Sequence, residues 1–372
     1  MSERIRFRIF AHSWISDWNH GNAHFLRGLA RELQCLGHEV KCYEELGSWS
    51  LTNLLEQEGE VGVQAVEQFR REFPDLDVRF YQQDKGLNDL LRLELRDADV
   101  VIIHEWNHPD VANAILALKA EFGFRALFHD THHRALTNAC EILRFNLALF
   151  DGVLAFGEVI TRIYLDGFGM QRAWTFHEAA DITHFYPRDG TADIDVLWIG
   201  NWGDEERSRE LMEYLVRPVA ELPNCKAVAY GVRFPDEGQR VLREAGIEYR
   251  GYLPNLMATK LYSRSALSLH IPRRQYSSGL NGIPTIRVFE ALACGSPLIC
   301  APWNDAERLF RPGEDYLVVS SGAEMKDEMQ RLLHDESARR QIGANGRETI
   351  LRRHTCAHRA QQLVDICEEL AR

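Results

Sequence analysis

Strand-like and helix-like segments alternate along the whole chain, and that alternation restricts its fold more than any other feature. A chain that repeats strand, helix, strand buries its apolar faces by laying helices on a mostly parallel sheet. Residues 5–10 place Ile5, Phe7 and Ile9 between Arg6 and Arg8, a strand pattern. Residues 21–36 put Phe25, Leu29, Leu33 and Leu36 on one helix face, with Gly37 as the stop. Residues 39–43 read as the next strand, and the Gln/Glu-rich stretch 47–95 as helices with a solvated face. The apolar run 99–103 is a buried strand that ends at His104-Glu105. A helix over 111–122 then leads to a strand at 125–128, followed by His129-Asp130. A further helix and a strand at 152–156 complete one doubly wound domain.

The pattern restarts after Pro187. Strands are expected at 195–200, 226–230, 247–252, 266–271, 297–300 and 316–320, with helices at 206–222, 285–293 and from 323 onward. A Gly/Pro/Arg loop occupies 272–284, and Asp189-Gly190 is the best linker. The expected division is 1–187, 188–354 and a C-terminal helix, 355–372, packing back on the first domain. At 372 residues the chain is long enough for two cores.

Charge narrows the partners. The net charge is −12, of which the first 186 residues carry −10 and the remainder −2. Such a chain repels nucleic-acid backbones and anionic lipid, so neither nucleic acid nor an integral membrane is an expected partner; the second half is the better host for a small anion. Eight cysteines with no C-x-x-C pair read as reduced thiols. The start Met1-Ser2-Glu3-Arg4 runs into an alternating strand rather than a signal peptide, and no run reaches the ~18 apolar residues of a span. A cytoplasmic location is expected.

Ligands in open α/β sheets bind past the carboxyl ends of the strands, so polar residues there are the candidates. In Asn281-Gly282-Ile283-Pro284-Thr285-Ile286-Arg287-Val288-Phe289-Glu290-Ala291-Leu292-Ala293-Cys294-Gly295-Ser296-Pro297, a Gly/Pro loop opens a helix. Backbone N–H groups and the positive helix end there suit a phosphate. Glu290 is spaced to accept both hydroxyls of a ribose, although the segment read alone also fits a surface helix with a solvated glutamate. Arginines suited to phosphate oxygens are Arg207, Arg233, Arg273-Arg274 and Arg287.

That segment resembles the G-x-P-x-x-x-x-E-A-x-A-C-G-x-P stretch of GT-B glycosyltransferases of family 4 (group 1), and is most similar to the CgeB-like group. Residues 179–187 (AADITHFYP) resemble the element leading into the second domain of those enzymes. Residues 196–201 resemble its opening strand and glycine, and 247–254 the strand beside the nucleobase. The resemblance implies an α/β GT-B fold, two Rossmann-like doubly wound domains facing a central cleft. It also implies a nucleoside diphosphate sugar as donor substrate, with no cofactor and no metal. Glu290 matches the second glutamate of the family's E-x7-E motif, which holds the ribose. The first falls at Gly282, or at Asn281 with one insertion, so that carboxylate is missing.

The implied donor site comprises Glu290, Gly282, Ile283, Pro284, Thr285, Arg287, Asn201, Arg207, Arg233, Tyr252 and Leu253. His129, Asp130 and Arg273 are the expected catalytic groups. His12, Trp14, Trp18, Gly21, His104 and Glu105 are expected to meet an unidentified acceptor, with the tryptophans stacking on a sugar and Gly21 turning the loop at positive φ. Two alternatives stay open for 129–133: structural histidines, or an H-x-x-H-H zinc site. The expected reaction is hexosyl transfer with retention of configuration. An inverting route would need Asp130, Asp17 or Glu105 as base. Competing readings are an epimerase or phosphorylase on the same fold, and a non-catalytic binding protein.

Overall fold

The computed structural model describes residues 4–371 and divides them into two compact units. One runs up to Glu178 and takes in the chain again from Cys356; the other is Ala179–Thr355. Met1–Glu3 lie outside the described residues.

The first unit holds β1 (Arg6–Phe10), β2 (Glu39–Glu45), β3 (Asp77–Tyr81), β4 (Val100–His104), β5 (Arg125–Asp130), β6 (Gly152–Ala155) and β7 (Ala173–Thr175). They form one parallel sheet in the order β3-β2-β1-β4-β5-β6-β7. β4, Val-Val-Ile-Ile-His, is buried along its whole length, as expected of a central parallel strand covered on both faces. The two edge strands are the ones the sequence pattern does not reveal. β3 lies inside the polar stretch 47–95 and leaves Asp77 and Phe80 exposed, and the three residues of β7 are only half-buried. A strand with one neighbour needs no continuous apolar run.

The C-terminal helix Cys356–Ala371 completes this unit by packing on helix Ala23–Cys35. Arg359 Nε donates to the His177 carbonyl at 2.9 Å, and Gln362 Nε2 to that of Thr175 at 2.9 Å.

The second unit holds β8 (Ile194–Ile199), β9 (Ala227–Tyr230), β10 (Ile247–Tyr249), β11 (Ser265–His270), β12 (Leu298–Cys300) and β13 (Leu317–Val318). They too are parallel, in the order β10-β9-β8-β11-β12-β13. The expected fold class of two Rossmann-like parallel-sheet domains is what the structure shows.

Local differences have local causes. The expected strand 247–252 ends at Tyr249, because Gly251 takes φ 71° and turns the chain. The expected helix 206–222 is helical from Ser208 to Ala220, with one wide turn at Met212–Val216 just before Pro218, which has no N–H to donate. Helix Asp236–Glu244, joining β9 to β10, has no counterpart in the sequence reading. Among the described residues no helix is long and apolar enough to cross a membrane, and none of the eight cysteines is in a disulfide.

Candidate functional site

In each sheet the strand order reverses beside the unit's first strand, between β1 and β4 and between β8 and β11. Loops past such a reversal run to opposite sides and leave a crevice, the usual ligand position in doubly wound sheets.

In the second unit this crevice is built around Arg207. Its side chain is half-buried, and the guanidinium ties the ends of β8 and β11 together. Nε donates to the Asn201 carbonyl at 3.1 Å, Nη2 to the same carbonyl at 2.6 Å and to Asn201 Oδ1, and Nη1 to the Ile271 carbonyl at 3.2 Å. Trp198 lies beneath it, with 5.5 Å from the guanidinium carbon to the ring centre. Burial, and then the nearby charges of Arg273 and Arg287, pull the Arg207 pKa down to about 9. A cation whose charge is disfavoured in this way is one that an anion relieves. Arg273 completes the group, pairing with Glu206 at 2.5 Å and reaching Asn201 Oδ1 at 3.5 Å.

Two glycines permit this geometry. A Cβ on Gly200 would lie 2.9 Å from the Trp198 ring and 3.2 Å from Arg207 Nη2. Gly231, past β9, has φ 153°, and a Cβ there would fall 1.9 Å from the Gly200 carbonyl oxygen.

Helix Ile286–Ala293 enters from the β11 side. Its N-cap residue, Thr285, makes no capping bond of its own; its hydroxyl pairs instead with His270 Nε2 at 3.1 Å. His270 ends β11 and is kept neutral, its pKa lowered to about 3 by burial and then by Arg207; its Nδ1 has no partner. The preceding loop is held by Trp303, whose indole N–H donates to the Ile283 carbonyl at 3.0 Å, and Ile283 and Pro284 are buried. Gly282 takes φ 94°. A Cβ there would lie 2.8 Å from Glu307 Cγ and 3.1 Å from Glu307 Oε1.

Glu290 is not the open carboxylate that the sequence suggests. It is 0% exposed: Oε1 accepts from Asn255 Nδ2 at 2.6 Å, and Oε2 accepts from Arg287 Nη1 at 2.6 Å and Tyr262 Oη at 3.5 Å. The solvated-glutamate alternative is thereby excluded. Arg287, half-buried, is the more accessible side of this pair. Arg233 lies past β9 with φ 60°, unusual for a residue with a side chain. Tyr252 and Leu253 are half-buried in the loop whose Gly251 carbonyl accepts from the Gly231 N–H at 2.8 Å. Thus Asn201, Arg207, Arg273, Thr285, Arg287 and Glu290 gather about one strand reversal, while Arg233, Tyr252 and Leu253 lie on the β9–β10 side of it.

The corresponding crevice of the first unit is lined by histidines. His12, past β1, has its ring 3.8 Å from that of His20 and 5.7 Å from His104, and His104 lies 5.2 Å from His129. Burial keeps all four neutral: His12 and His129 are lowered to about 3, His20 and His104 well below the usual imidazole range. His104 Nε2 meets Thr131 Oγ1 at 3.0 Å, and Asn22 Nδ2 donates to the same hydroxyl.

Several expectations need correction here. His129 and Asp130 are the last residues of β5 rather than a loop beyond it. His129 is buried against Phe25 and Phe176, with Nε2 unpartnered, and Asp130 accepts from Tyr164 Oη at 2.7 Å and from the His132 N–H at 2.9 Å. Asp130 is therefore anchored within the unit and does not project as an open base.

Trp14 and Trp18 are not stacking surfaces. Both are buried, with indole N–H groups donated to the Tyr43 carbonyl at 3.1 Å and to Glu58 at 3.0 Å. The left-handed residue of their loop is Asn19 (φ 49°) rather than Gly21. Among the described residues no three His, Cys, Asp or Glu side chains are grouped so that they would hold a metal ion.

The sequence reading also missed Glu44. Its buried carboxylate accepts from the N–H groups of Trp14 (2.6 Å) and Ile15 (3.1 Å) and the hydroxyls of Ser13 (3.0 Å) and Ser48 (2.9 Å), fixing the β1 loop. His270, also missed, carries a usable signal, a polar residue at the end of a largely buried strand, whereas Glu44 lies next to last in a strand of mixed burial and carries none.

Glu105 is buried beside Asp130. It accepts from the Thr131 N–H at 3.1 Å and is paired with Arg134 at 2.7 Å. Burial, and next the Asp130 charge, raise the Glu105 pKa; burial also raises that of Asp130. Two carboxyls so placed hold a proton that an unfolded chain would release. The folded state then binds more protons, so this pair's contribution to stability is full below the ordinary carboxylate range near pH 4 and falls as pH rises through the raised values. Glu105→Gln is expected to flatten that loss. Melting temperatures of both proteins from pH 4 to 9 check it; parallel curves would refute it.

Comparison with known proteins agrees with this architecture. Residues 207–365 match the glycosyl transferase-like family. Similar solved structures include the sucrose-phosphate synthase of Thermosynechococcus elongatus (TM-score 0.66, 15% identity, 99% of each chain covered). HepE of Anabaena, in complex with UDP and glucose, gives TM-score 0.71 at 12% identity over 98% of this chain and 100% of that one. An alpha-glucosyltransferase in complex with UDP and a DNA 13-mer gives 0.68 at 13% identity, with 98% and 100% covered. No curated protein matches the sequence. The chain has the GT-B fold, and the family match extends from the second unit into the C-terminal helix.

Proposed function

We propose that this glycosyltransferase moves a hexosyl group from a UDP-sugar to a hydroxyl acceptor, without a metal and with retention of configuration, as a cytoplasmic enzyme of the CgeB-like group in family 4. The observation that carries the reading is the set Arg207, Arg273 and Arg287 at the β8/β11 reversal, next to the start of helix Ile286–Ala293. Three guanidiniums and a helix N-terminus meet the charge that a departing diphosphate gains as its glycosidic bond breaks. The uridine nucleotides bound by HepE and the alpha-glucosyltransferase support UDP as the nucleotide. Cysteines outside any disulfide fit a reducing compartment.

In this reading the ribose takes one oxygen of Glu290 from Arg287, which turns to the diphosphate. Glu307 supplies the carboxylate that Gly282 lacks, because its side chain occupies the space beside that glycine. The acceptor oxygen bonds to the anomeric carbon on the face the diphosphate leaves, and the hydroxyl proton passes to the leaving phosphate.

A thermal-shift panel of UDP-, GDP- and dTDP-sugars tests the donor assignment. UDP-glucose at a hundred times its dissociation constant should add about 2.7 kcal/mol of stability. Glu290→Ala should remove most of that gain by taking away the ribose anchor and leaving Asn255 and Arg287 without their acceptor. Equal shifts for wild type and variant would end the Glu290 assignment. No shift with any nucleotide sugar would favour the non-catalytic alternative. Conversion of UDP-glucose with no acceptor present would favour an epimerase.

A further inference from the structure

Two tryptophans differ from the others in this chain. Trp14, Trp18, Trp198, Trp202 and Trp303 are buried and Trp174 is half-buried, whereas Trp49 is 55% and Trp106 42% exposed. Both exposed rings lie just past the carboxyl ends of strands, Trp49 after β2 and Trp106 after β4, on either side of β1.

Each is also braced. The buried Trp18 ring meets Trp49 edge-on at 5.1 Å. Trp106 has the Arg134 guanidinium over its ring at 3.9 Å, His132 at its edge at 5.0 Å and His12 at 6.2 Å. An indole held in place but left open to water keeps its hydration cost without losing further side-chain entropy when it is covered. The C–H face of a pyranose is a natural cover, since its weakly positive hydrogens meet the negative face of the ring.

Charge selects among possible covers. The first 186 residues carry −10, which opposes polyanions and acidic sugars. The imidazole of His12, near the Trp106 ring, is neutral, and its Nδ1 has no partner within the unit.

We propose that this edge of the first unit binds a neutral saccharide as acceptor, with sugar rings stacked on Trp49 and Trp106. The inference rests on the transferase reading for its chemistry. A saccharide hydroxyl oxygen bonds to the anomeric carbon of the donor, the bond from that carbon to the diphosphate breaks, and the hydroxyl proton leaves with UDP. It differs from the use of a polyanionic nucleic acid.

The test has two readouts on the full chain. UDP release from UDP-glucose is measured with cellobiose, maltose, their uronic-acid counterparts and a hydroxymethyl-bearing oligonucleotide. Tryptophan fluorescence is titrated with the same compounds, without donor. A neutral disaccharide should quench fluorescence saturably and raise UDP release about tenfold over water alone. Trp49→Ala and Trp106→Ala should each raise its KM about tenfold, with Trp49→Phe restoring most of the loss. Preference for the oligonucleotide or the uronic acids, or an acceptor KM unmoved by both alanine variants, overturns the proposal. So does the absence of any neutral-saccharide effect in a protein that UDP-glucose still stabilises. Saturable quenching by neutral saccharide in a protein that UDP-glucose does not stabilise upholds this site and removes the donor reading instead.

Discussion

Arg207→Ala is expected to lower turnover of UDP-glucose by about 10²–10³, the loss usual when one preorganised donor to a developing anion is removed. The side chain sits between the ends of β8 and β11, where its fork is divided among the Asn201 and Ile271 carbonyls. Its loss removes charge from the crevice and leaves both carbonyls without that donor, a desolvation cost of about 1–3 kcal/mol for each that stays buried. Activity and stability should therefore fall together in the alanine variant. Arg207→Lys separates them: it keeps a positive charge but cannot reproduce the planar fork, so melting should recover more than turnover does. Steady-state kinetics and thermal melts of both variants give the comparison. Unchanged turnover in Arg207→Ala would mean that the diphosphate does not pass the β8/β11 reversal.

Gly231→Ala should be the most damaging single methyl in the second unit. Its Cβ would lie 1.9 Å from the Gly200 carbonyl oxygen, well inside contact distance, and φ 153° is unfavourable for any side chain. The obstacle is backbone at the end of β8, which cannot move without displacing Gly200 and, with it, the groove that receives Arg207. A cost of at least about 3 kcal/mol follows from strain and forced displacement together. For a unit of this size that is roughly 6–12 °C in melting temperature. Calorimetry decides the point, with Gly251→Ala as a comparison: that glycine has φ 71° but nothing within 4 Å of its Cβ position, so the variant carries strain without a clash. Equal melting of the two variants would show that the close approach of β8 and β9 is not what makes Gly231 necessary.

The central strand of the first unit was legible from sequence because β4 is an apolar run ending in a polar residue, a pattern that burial on both faces requires. β3 was not, since an edge strand tolerates Asp77 and Arg79, and its polarity looks the same as that of the helices around it. At the proposed donor site, residue identity carried further than residue state. The arginines and Glu290 were visible as types at a spacing, but the closure of Glu290 by Asn255 and Arg287 depends on helix Asn255–Arg264, far from it in sequence. Trp14 and Trp18 show the opposite error. A loop tryptophan next to polar residues looks available, and nothing local announces that Tyr43 and Glu58 will take up the two indole N–H groups. Glu307 lies 25 positions beyond Gly282 and became a candidate only through proximity in space.

The first unit is discontinuous along the chain: helix Ala23–Cys35 is covered by Cys356–Ala371, with the whole of Ala179–Thr355 between them. On the ribosome, that middle portion emerges in full before the segment that covers the earlier one. Folding order during translation is thus inverted relative to the usual N-terminal-first sequence. Until the last helix is released, the apolar face of Ala23–Cys35 remains uncovered, so nascent chains stalled near residue 355 are the species most in need of chaperone protection.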